Sequence, residues 1–123
     1  MDVKEVKQLD NGRKATIFNT TPLMSTYLVA FIVGELKYVE SNDFRVPVRC
    51  YASPGLEKQC QYAADLTAKT LAFFEKAFDI KYPLPKLDNV AIADFSAGAM
   101  ENFGLVTYRV AELVYDEENS TLA

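Results

Sequence analysis

The chain has 123 residues, of which 50% are hydrophobic and 24% are charged, a composition that excludes a disordered or fibrous protein. Its formal net charge is -4, and no block of basic residues alternates with aromatic residues, so nucleic acid is not expected as a partner. The longest apolar run, residues 27–33, is much shorter than the roughly 20 residues of a membrane span.

The chain contains no histidine, so it lacks both the commonest general base and the commonest metal ligand. Its two thiols, Cys50 and Cys60, do not have a CxxC spacing. We interpret them as free, buried cysteines, with a disulfide or a reactive thiol as the alternatives. Free cysteines indicate a reducing compartment, and we expect a cytoplasmic protein.

The first 36 residues predict antiparallel β structure. "RKATIF" at residues 13–18 alternates polar and apolar residues, and "STYLVAFIVGEL" at residues 25–36 is rich in β-branched and aromatic residues. "NTTP" at residues 19–22 separates the two runs with residues typical of turns. The simplest interpretation is that the two runs are strands that pair with each other.

A turn and another strand are predicted next. "ESND" at residues 40–43 is typical of a polar turn, and "FRVPVRCY" at residues 44–51 has the period of two that is typical of a strand. Because Pro47 has no backbone N–H group, its place in this run predicts an edge strand or a bulge.

One long helix is predicted at about residues 55–78, with Ser53 as its N-cap. We expect its apolar face to form the core by packing on "VAIA" at residues 90–93, the centre of the following strand. The helix residues expected in this core are Ala64, Leu71, Phe74 and Phe78.

Two strands are predicted after the helix, in "KLDNVAIADF" at residues 86–95 and in "GLVTYRVAELVYD" at residues 104–116. The order of elements therefore changes near residues 36–43, from strands alone to strand, helix, strand, strand. The predicted fold class is α+β. Residues 1–36 are expected to be the end of an antiparallel β domain, and residues 37–123 a mixed sheet with one long helix.

The segment "AGAMEN" lies between these last strands and carries the chemistry. The small residues Gly98 and Ala99 let another backbone approach closely, and an extended peptide can pair with such a strand. Glu101 would meet that peptide at a fixed point, and a charged hydrogen bond to its free α-amine would select a chain terminus. From residue chemistry alone, a solvated Glu beside a core-filling Met100 is the alternative.

The stretch "GAMENFGLVTYR" resembles the exopeptidase signature of the zinc aminopeptidases of the thermolysin-like superfamily, in particular their puromycin-sensitive and fungal alanine/arginine branch. The resemblance extends to "TPLMSTYLVAFIVGEL", "VRCYASPG", "LTAKTLAFFEKAF" and "YPLPKLDNVAIADFSAGAMENFGLVTYR", and so covers nearly all of the chain. It implies that residues 37–123 begin a thermolysin-like catalytic domain, and that the parent protein removes N-terminal amino acids from peptides.

The resemblance implies substrate-binding roles for five residues. Gly98 and Ala99 match the residues whose backbone pairs with the substrate peptide, and Met100 matches a residue that shapes the pocket for the first substrate residue. Glu101 matches the acidic residue that binds the substrate's α-amine, and Asn102 is expected to support the same strand. No catalytic residue and no metal ligand is assigned within the chain.

The zinc site of that family, an H-E-x-x-H helix with a further Glu, does not occur in the chain. We expect one zinc ion in the parent enzyme, with its ligands beyond Ala123, so that this chain is an internal fragment and is inactive alone. Peptides with a free N-terminus are the expected partners. The alternatives are a peptide-binding or assembly protein that keeps this scaffold without zinc, and a free-standing domain of this length.

Overall fold

The computed structural model of the chain describes residues 1–120, which form two sheets and two helices. The antiparallel pair consists of β1 (Val3–Gln8) and β2 (Lys14–Phe18). The mixed sheet consists of β3 (Lys37–Ser41), β4 (Val48–Ala52), β5 (Leu87–Ile92), β6 (Ala99–Met100) and β7 (Leu105–Arg109). The helices are α1 (Gln61–Phe78) and the one-turn α2 (Val110–Leu113). An antiparallel β unit followed by a mixed sheet with one long helix confirms the predicted α+β class.

The order of strands in the mixed sheet is β3-β4-β5-β7-β6. Strands β4, β5 and β7 are parallel to one another, while β3 and β6 run antiparallel to their neighbours. Parallel neighbours require a long crossover, and α1 provides it between β4 and β5. The short strand β6 therefore lies at one edge of the sheet, next to β7.

The predicted pairing of residues 13–18 with residues 25–36 is wrong. Strand β2 pairs instead with β1, from Val3 opposite Phe18 to Gln8 opposite Lys14. Residues 25–36 contain no strand and form only a 3-10 turn at Thr26–Leu28. A run of strand-forming residues becomes a strand only beside a partner strand. The partner predicted for residues 25–36 is β2, and β2 already pairs with β1 through a tight turn at Asp10–Gly12.

The predicted turn at residues 40–43 and strand at residues 44–51 are displaced along the chain. Strand β3 continues through Ser41, and β4 begins only at Val48. Pro47 therefore precedes an interior strand and is not part of an edge strand or a bulge, so the sheet does not need the N–H group that proline lacks. Its carbonyl oxygen accepts a hydrogen bond of 2.9 Å from the backbone N–H of Leu87.

The helix begins at Gln61 rather than near residue 55, after a 3-10 turn at Glu57–Cys60. Ser53 does not act as its N-cap: the backbone N–H of Leu56 donates to the Ser53 carbonyl oxygen at 3.0 Å, which forms a turn. Gly55 has a φ angle of 101°, outside the helical region, and this angle excludes the predicted start. The predicted end of the helix at Phe78 is confirmed.

The core contains small side chains of α1, and the prediction that Phe74 and Phe78 are buried is wrong. Their exposed fractions are 46% and 66%, and their rings stack on each other with centroids 5.6 Å apart. Ala64 and Ala68 are fully buried instead, since the helix lies close to β3 and β4. The residues of the core cluster are Cys50, Ala52, Cys60, Ala64, Ala91 and Leu113.

Only part of "VAIA" faces the helix. Ala91 belongs to the core cluster, whereas Val90 lines a cavity that also touches Phe31 and Val33. Neighbouring residues of a strand point to opposite faces, so a uniformly apolar strand is shared between two layers.

The last predicted strand, at residues 104–116, is shorter than expected. Strand β7 ends at Arg109, and α2 follows immediately. The one-turn helix places Leu113 in the core, where it is 7% exposed. The apolar residues of α2 therefore pack on the core from a helix and do not extend strand β7.

Candidate functional site

The backbone of β6 is open on one side. Ala99 pairs with Tyr108 and Met100 with Thr107, and within residues 1–120 no other strand pairs with β6. Gly98 and Ala99 are exposed, and a Cβ atom added to Gly98 would meet no atom within 4 Å. An edge of this kind can accept an extended peptide as an additional strand.

Glu101 follows this edge directly and is exposed. Four ion pairs form within residues 1–120, and none of them includes its carboxylate. A negative charge thus stands at the end of the open edge without a cationic partner in the described part of the chain. Such a group attracts a cation, and an ammonium group would form a charge-assisted hydrogen bond with it.

Asn102 lies on the inner side of the same turn and is 7% exposed. Its side-chain Nδ2 donates to Oγ1 of Thr107 at 3.2 Å and to the carbonyl oxygen of Met100 at 3.4 Å. Met100 itself is half-buried. These contacts connect the residues on both sides of Glu101 to the sheet.

Two residues that the sequence interpretation missed stabilise the far end of this turn. The Nζ atom of Lys86 lies 2.8 Å from the carbonyl oxygen of Gly104 and 2.5 Å from Oδ2 of Asp88. All three residues are buried. The available signal was the spacing, because residues two apart on a strand share one face.

Glycine suits position 104 of this turn better than any other residue. Its φ angle is 74°, and a Cβ atom would lie 3.0 Å from Cδ1 of Leu84. A left-handed backbone and this close approach both favour glycine. The N-terminal segment also contacts the turn, since the backbone N–H of Phe103 donates to the carbonyl oxygen of Leu28 at 3.2 Å.

The described residues do not form a metal site. Within residues 1–120, no group of three or more His, Cys, Asp or Glu side chains is arranged to hold a metal ion. Cys50 and Cys60 are free and fully buried, which confirms the predicted state of both thiols. Hydrogen bonding to Cys60 and burial both raise the pKa of the Cys50 thiol.

A membrane-spanning helix is also not found in this part of the chain: neither helix within residues 1–120 has the length and apolar character to cross a bilayer.

Comparison with known proteins gives a family. Residues 62–123 match the Peptidase family M1 domain. The chain is 71% identical over 122 residues to "Aminopeptidase 2, mitochondrial" of Saccharomyces cerevisiae, a match that covers 99% of this chain and 13% of that protein. It is 64% identical over 122 residues to the "Alanine/arginine aminopeptidase" of the same yeast, covering 99% of this chain and 14% of the relative.

A more distant relative is the "Puromycin-sensitive aminopeptidase" of Caenorhabditis elegans, 51% identical over 115 residues that cover 93% of this chain and 12% of that protein. The chain therefore spans only a small part of the length of the curated relatives it matches. Since the family domain matches half of the chain, and since these relatives bear out the resemblance in "GAMEN" and its flanking segments, the chain belongs to peptidase family M1.

Proposed function

We propose that this chain is part of a metallo-aminopeptidase that removes N-terminal amino acids from peptides. The names of the yeast and nematode relatives support the reaction class. Because the chain spans 13% of the first of these proteins, the activity is proposed for a longer polypeptide that contains it.

In this proposal the open edge of β6 binds the substrate. The backbone groups of Gly98 and Ala99 pair with an extended peptide, and Met100 shapes the pocket for its first residue. Glu101 binds the α-ammonium group, and Asn102 supports the turn. The observation that carries the proposal is the exposed carboxylate of Glu101 at the end of an uncovered strand edge.

Zinc enters the proposal only through residues outside this chain. The described residues do not fit a zinc ion, which needs about four ligands of the His, Cys, Asp or Glu type around it. We propose that the parent enzyme holds one zinc ion there, and that the 123-residue chain alone releases no amino acid. Repurified chain incubated with zinc and an aminoacyl amide reporter tests this, and release above a metal-only control would contradict it.

We further propose that residues 1–36 end an N-terminal β domain and that residues 37–123 begin the catalytic domain. The change from an antiparallel pair to a mixed sheet supports this division.

We also propose a reducing compartment, the cytoplasm, and the two free thiols support it. Fractionation of cells that express the tagged full-length protein tests this location. Recovery of the protein in the mitochondrial fraction would contradict a cytoplasmic location.

The test of the amine-binding role is Glu101→Gln in the complete enzyme. The substitution keeps size and hydrogen-bonding capacity but removes the charge, so a charged hydrogen bond of about 1.5–3 kcal/mol is lost. This corresponds to a loss of roughly 10- to 150-fold in kcat/KM for a peptide with a free amine. Glu101→Asp should also be impaired, since the shorter carboxylate cannot reach the amine.

The decisive comparison uses the same peptide with an acetylated N-terminus, which has no ammonium group. The wild-type enzyme should discriminate strongly between the two peptides, and Glu101→Gln should discriminate less. Glu112→Gln is the matched control, because Glu112 is also exposed but belongs to α2 and not to the segment that follows β6. An unchanged ratio of free to blocked peptide in Glu101→Gln, with the metal content intact, would contradict the role. Peptide binding without any turnover in the wild type would instead favour a non-catalytic binding protein.

A further inference from the structure

The segment between β5 and β6, residues 93–98, is called the crossing loop here. It must pass over the end of β7, because β5 and β6 lie on opposite sides of that strand. Strand β7 ends at Arg109, so this residue lies where the crossing loop passes. The sequence interpretation did not assign any role to Arg109.

Every carbonyl group from residue 95 to residue 98 accepts a hydrogen bond from Arg109. The guanidinium Nε lies 3.1 Å from the oxygen of Phe95 and 3.2 Å from that of Ala97, and Nη2 lies 2.5 Å from that of Ser96. The backbone N–H of Arg109 donates to the oxygen of Gly98 at 2.9 Å. One residue therefore binds four consecutive carbonyl groups.

The chemistry of arginine suits this arrangement. Its planar guanidinium has five N–H donors in a fixed geometry and stays charged, so its hydrogen bonds to carbonyl oxygens are charge-assisted. The crossing loop has no regular secondary structure to fix its backbone. Arg109 is not among the four ion pairs within residues 1–120, and the loop carbonyls are the acceptors that its side chain binds there.

The crossing loop leads directly into the proposed substrate edge. Gly98 is its last residue, and Ala99 is the first residue of β6. Strand β6 has only two residues, so its pairing with β7 gives few hydrogen bonds with which to fix its own start. The hydrogen bonds of Arg109 supply the missing constraint on the backbone just before the edge.

We propose that Arg109 is a positioning residue that sets the conformation of the crossing loop, and thereby the geometry with which Gly98 and Ala99 pair with a peptide. The inference rests on the proposed function, since it assumes that this edge binds the substrate. With its amino terminus at Glu101, a bound peptide extends along the edge towards Ala99 and Gly98. These two residues therefore pair with the peptide residues that follow the amino terminus. Loss of Arg109 should therefore impair longer peptides more than a substrate with a single amino-acid residue.

Arg45 provides a matched control. It is also an exposed arginine, and its guanidinium donates to Glu75 Oε1 at 2.9 Å and to the carbonyl oxygen of Tyr82 at 2.5 Å. These contacts lie away from β6. Arg45→Met therefore removes comparable hydrogen bonds without touching the crossing loop.

The experiment compares Arg109→Met, Arg109→Lys, Arg45→Met and Glu101→Gln in the complete enzyme. Hydrogen exchange of the peptide that contains residues 95–100 reports on the crossing loop directly and does not depend on activity. Kinetics are measured with an unblocked tetrapeptide and with a single-residue aminoacyl anilide. In Arg109→Met we expect faster exchange in this peptide and a loss of roughly 10- to 100-fold in kcat/KM for the tetrapeptide, because small displacements of positioning groups have effects of this size.

For the anilide we expect a loss of less than about 3-fold, as the reporter pairs with little of the edge. Arg109→Lys should recover part of the tetrapeptide activity, since an ammonium group donates to one or two of the carbonyls but not to all. Unchanged exchange in residues 95–100, or equal losses for both substrates in Arg109→Met, would overturn the inference. So would a tetrapeptide loss in Arg45→Met as large as that in Arg109→Met.

The Glu101→Gln arm separates the two possible failures. If Glu101→Gln loses its discrimination for free amines while Arg109→Met behaves as wild type, the positioning role is wrong and the proposed function stands. If exchange rises in Arg109→Met but neither variant changes the kinetics, the edge does not bind the substrate, and both proposals fail.

Discussion

The ammonium group of Lys86 lies 2.5 Å from the carboxylate of Asp88, and the two side chains are only 9% and 12% exposed. The second oxygen of Asp88, Oδ1, is buried and has no hydrogen-bond partner within residues 1–120. Asp88 therefore depends on Lys86 for its stabilisation. Because Lys86 also binds the carbonyl oxygen of Gly104, the ion pair connects the sheet to the turn that follows Glu101.

Lys86→Met should therefore destabilise the fold strongly. Removing one partner of a buried ion pair leaves a buried charge without compensation, and we expect a loss of about 3–5 kcal/mol in the free energy of unfolding. Urea unfolding of the purified chain measures this. The double variant Lys86→Met/Asp88→Leu removes both charges and should recover part of the loss. A loss below about 1 kcal/mol in Lys86→Met would mean that the pair is solvated, as surface pairs are.

Gly104→Ala should destabilise the chain by about 1–3 kcal/mol, because alanine must adopt a positive φ angle and its Cβ meets Leu84 at 3.0 Å. Gly98→Ala is the matched control. Its Cβ enters open space and its φ angle is not in the left-handed region, so we expect a change within about 1 kcal/mol. Urea midpoints of the two variants decide the matter, and equal midpoints would contradict the geometry of the turn.

The stability of the chain should depend on Glu75 in a defined range of pH. A hydrogen bond from Arg45, assisted by one from the backbone N–H of Tyr82, holds the pKa of Glu75 below its ordinary value of 4.5. A carboxyl group whose pKa is lower in the folded than in the unfolded state stabilises the fold at pH values above its unfolded pKa. This contribution is lost as the pH falls through the folded pKa. Glu75→Gln should therefore lower the urea midpoint at about pH 7, and the difference from wild type should shrink towards about pH 3.

A difference between wild type and Glu75→Gln that stays constant over this range, or that grows on acidification, would show that the carboxylate does not titrate as the contacts require. Arg45→Met should follow the same pH dependence as Glu75→Gln, because it removes the partner that lowers the pKa.

The location of the core can be tested with two substitutions on α1. Ala64 is fully buried, and Ala64→Leu forces additional atoms into a filled space, which should lower the free energy of unfolding by about 1–3 kcal/mol. Phe78 is 66% exposed, and Phe78→Ser should change the free energy of unfolding of the 123-residue chain by less than about 1 kcal/mol. The opposite ranking would restore the core that the spacing of the aromatic residues predicts.

Local patterns in the sequence determined some elements and not others. The end of α1 at Phe78 was predictable, because "YPLP" at residues 82–85 excludes a helix whatever surrounds it. Its start was not, since Ser-Pro-Gly is compatible with both a helix cap and a turn, and the positive φ angle of Gly55 decides between them. Strand β1 was missed because all six of its residues are exposed. Neither face of the strand is buried, so the sequence "VKEVKQ" does not need to alternate polar and apolar residues.

The candidate site shows the same division. Gly98 and Ala99 indicated a strand with an accessible backbone, and the position of β6 at the sheet edge agrees with that interpretation. The contacts of Lys86 with Gly104 and of Arg109 with the crossing loop were not predictable, because each joins segments more than ten residues apart and depends on which strands become neighbours. Periodicity reports which face of an element is buried, but it carries no information on the order of strands in a sheet.

The strand order also has a consequence for how the chain folds. Val48 pairs with Leu87 across the whole of α1, whereas β1 with β2 and β6 with β7 are hairpins between near neighbours in sequence. Pairings between distant residues close long loops and form slowly, so we expect the β4–β5 contact to limit the folding rate. Strand β6 reaches the sheet only through β7, and β7 only through β5. The open edge of β6 therefore becomes part of the five-stranded sheet only when β7 has paired with β5.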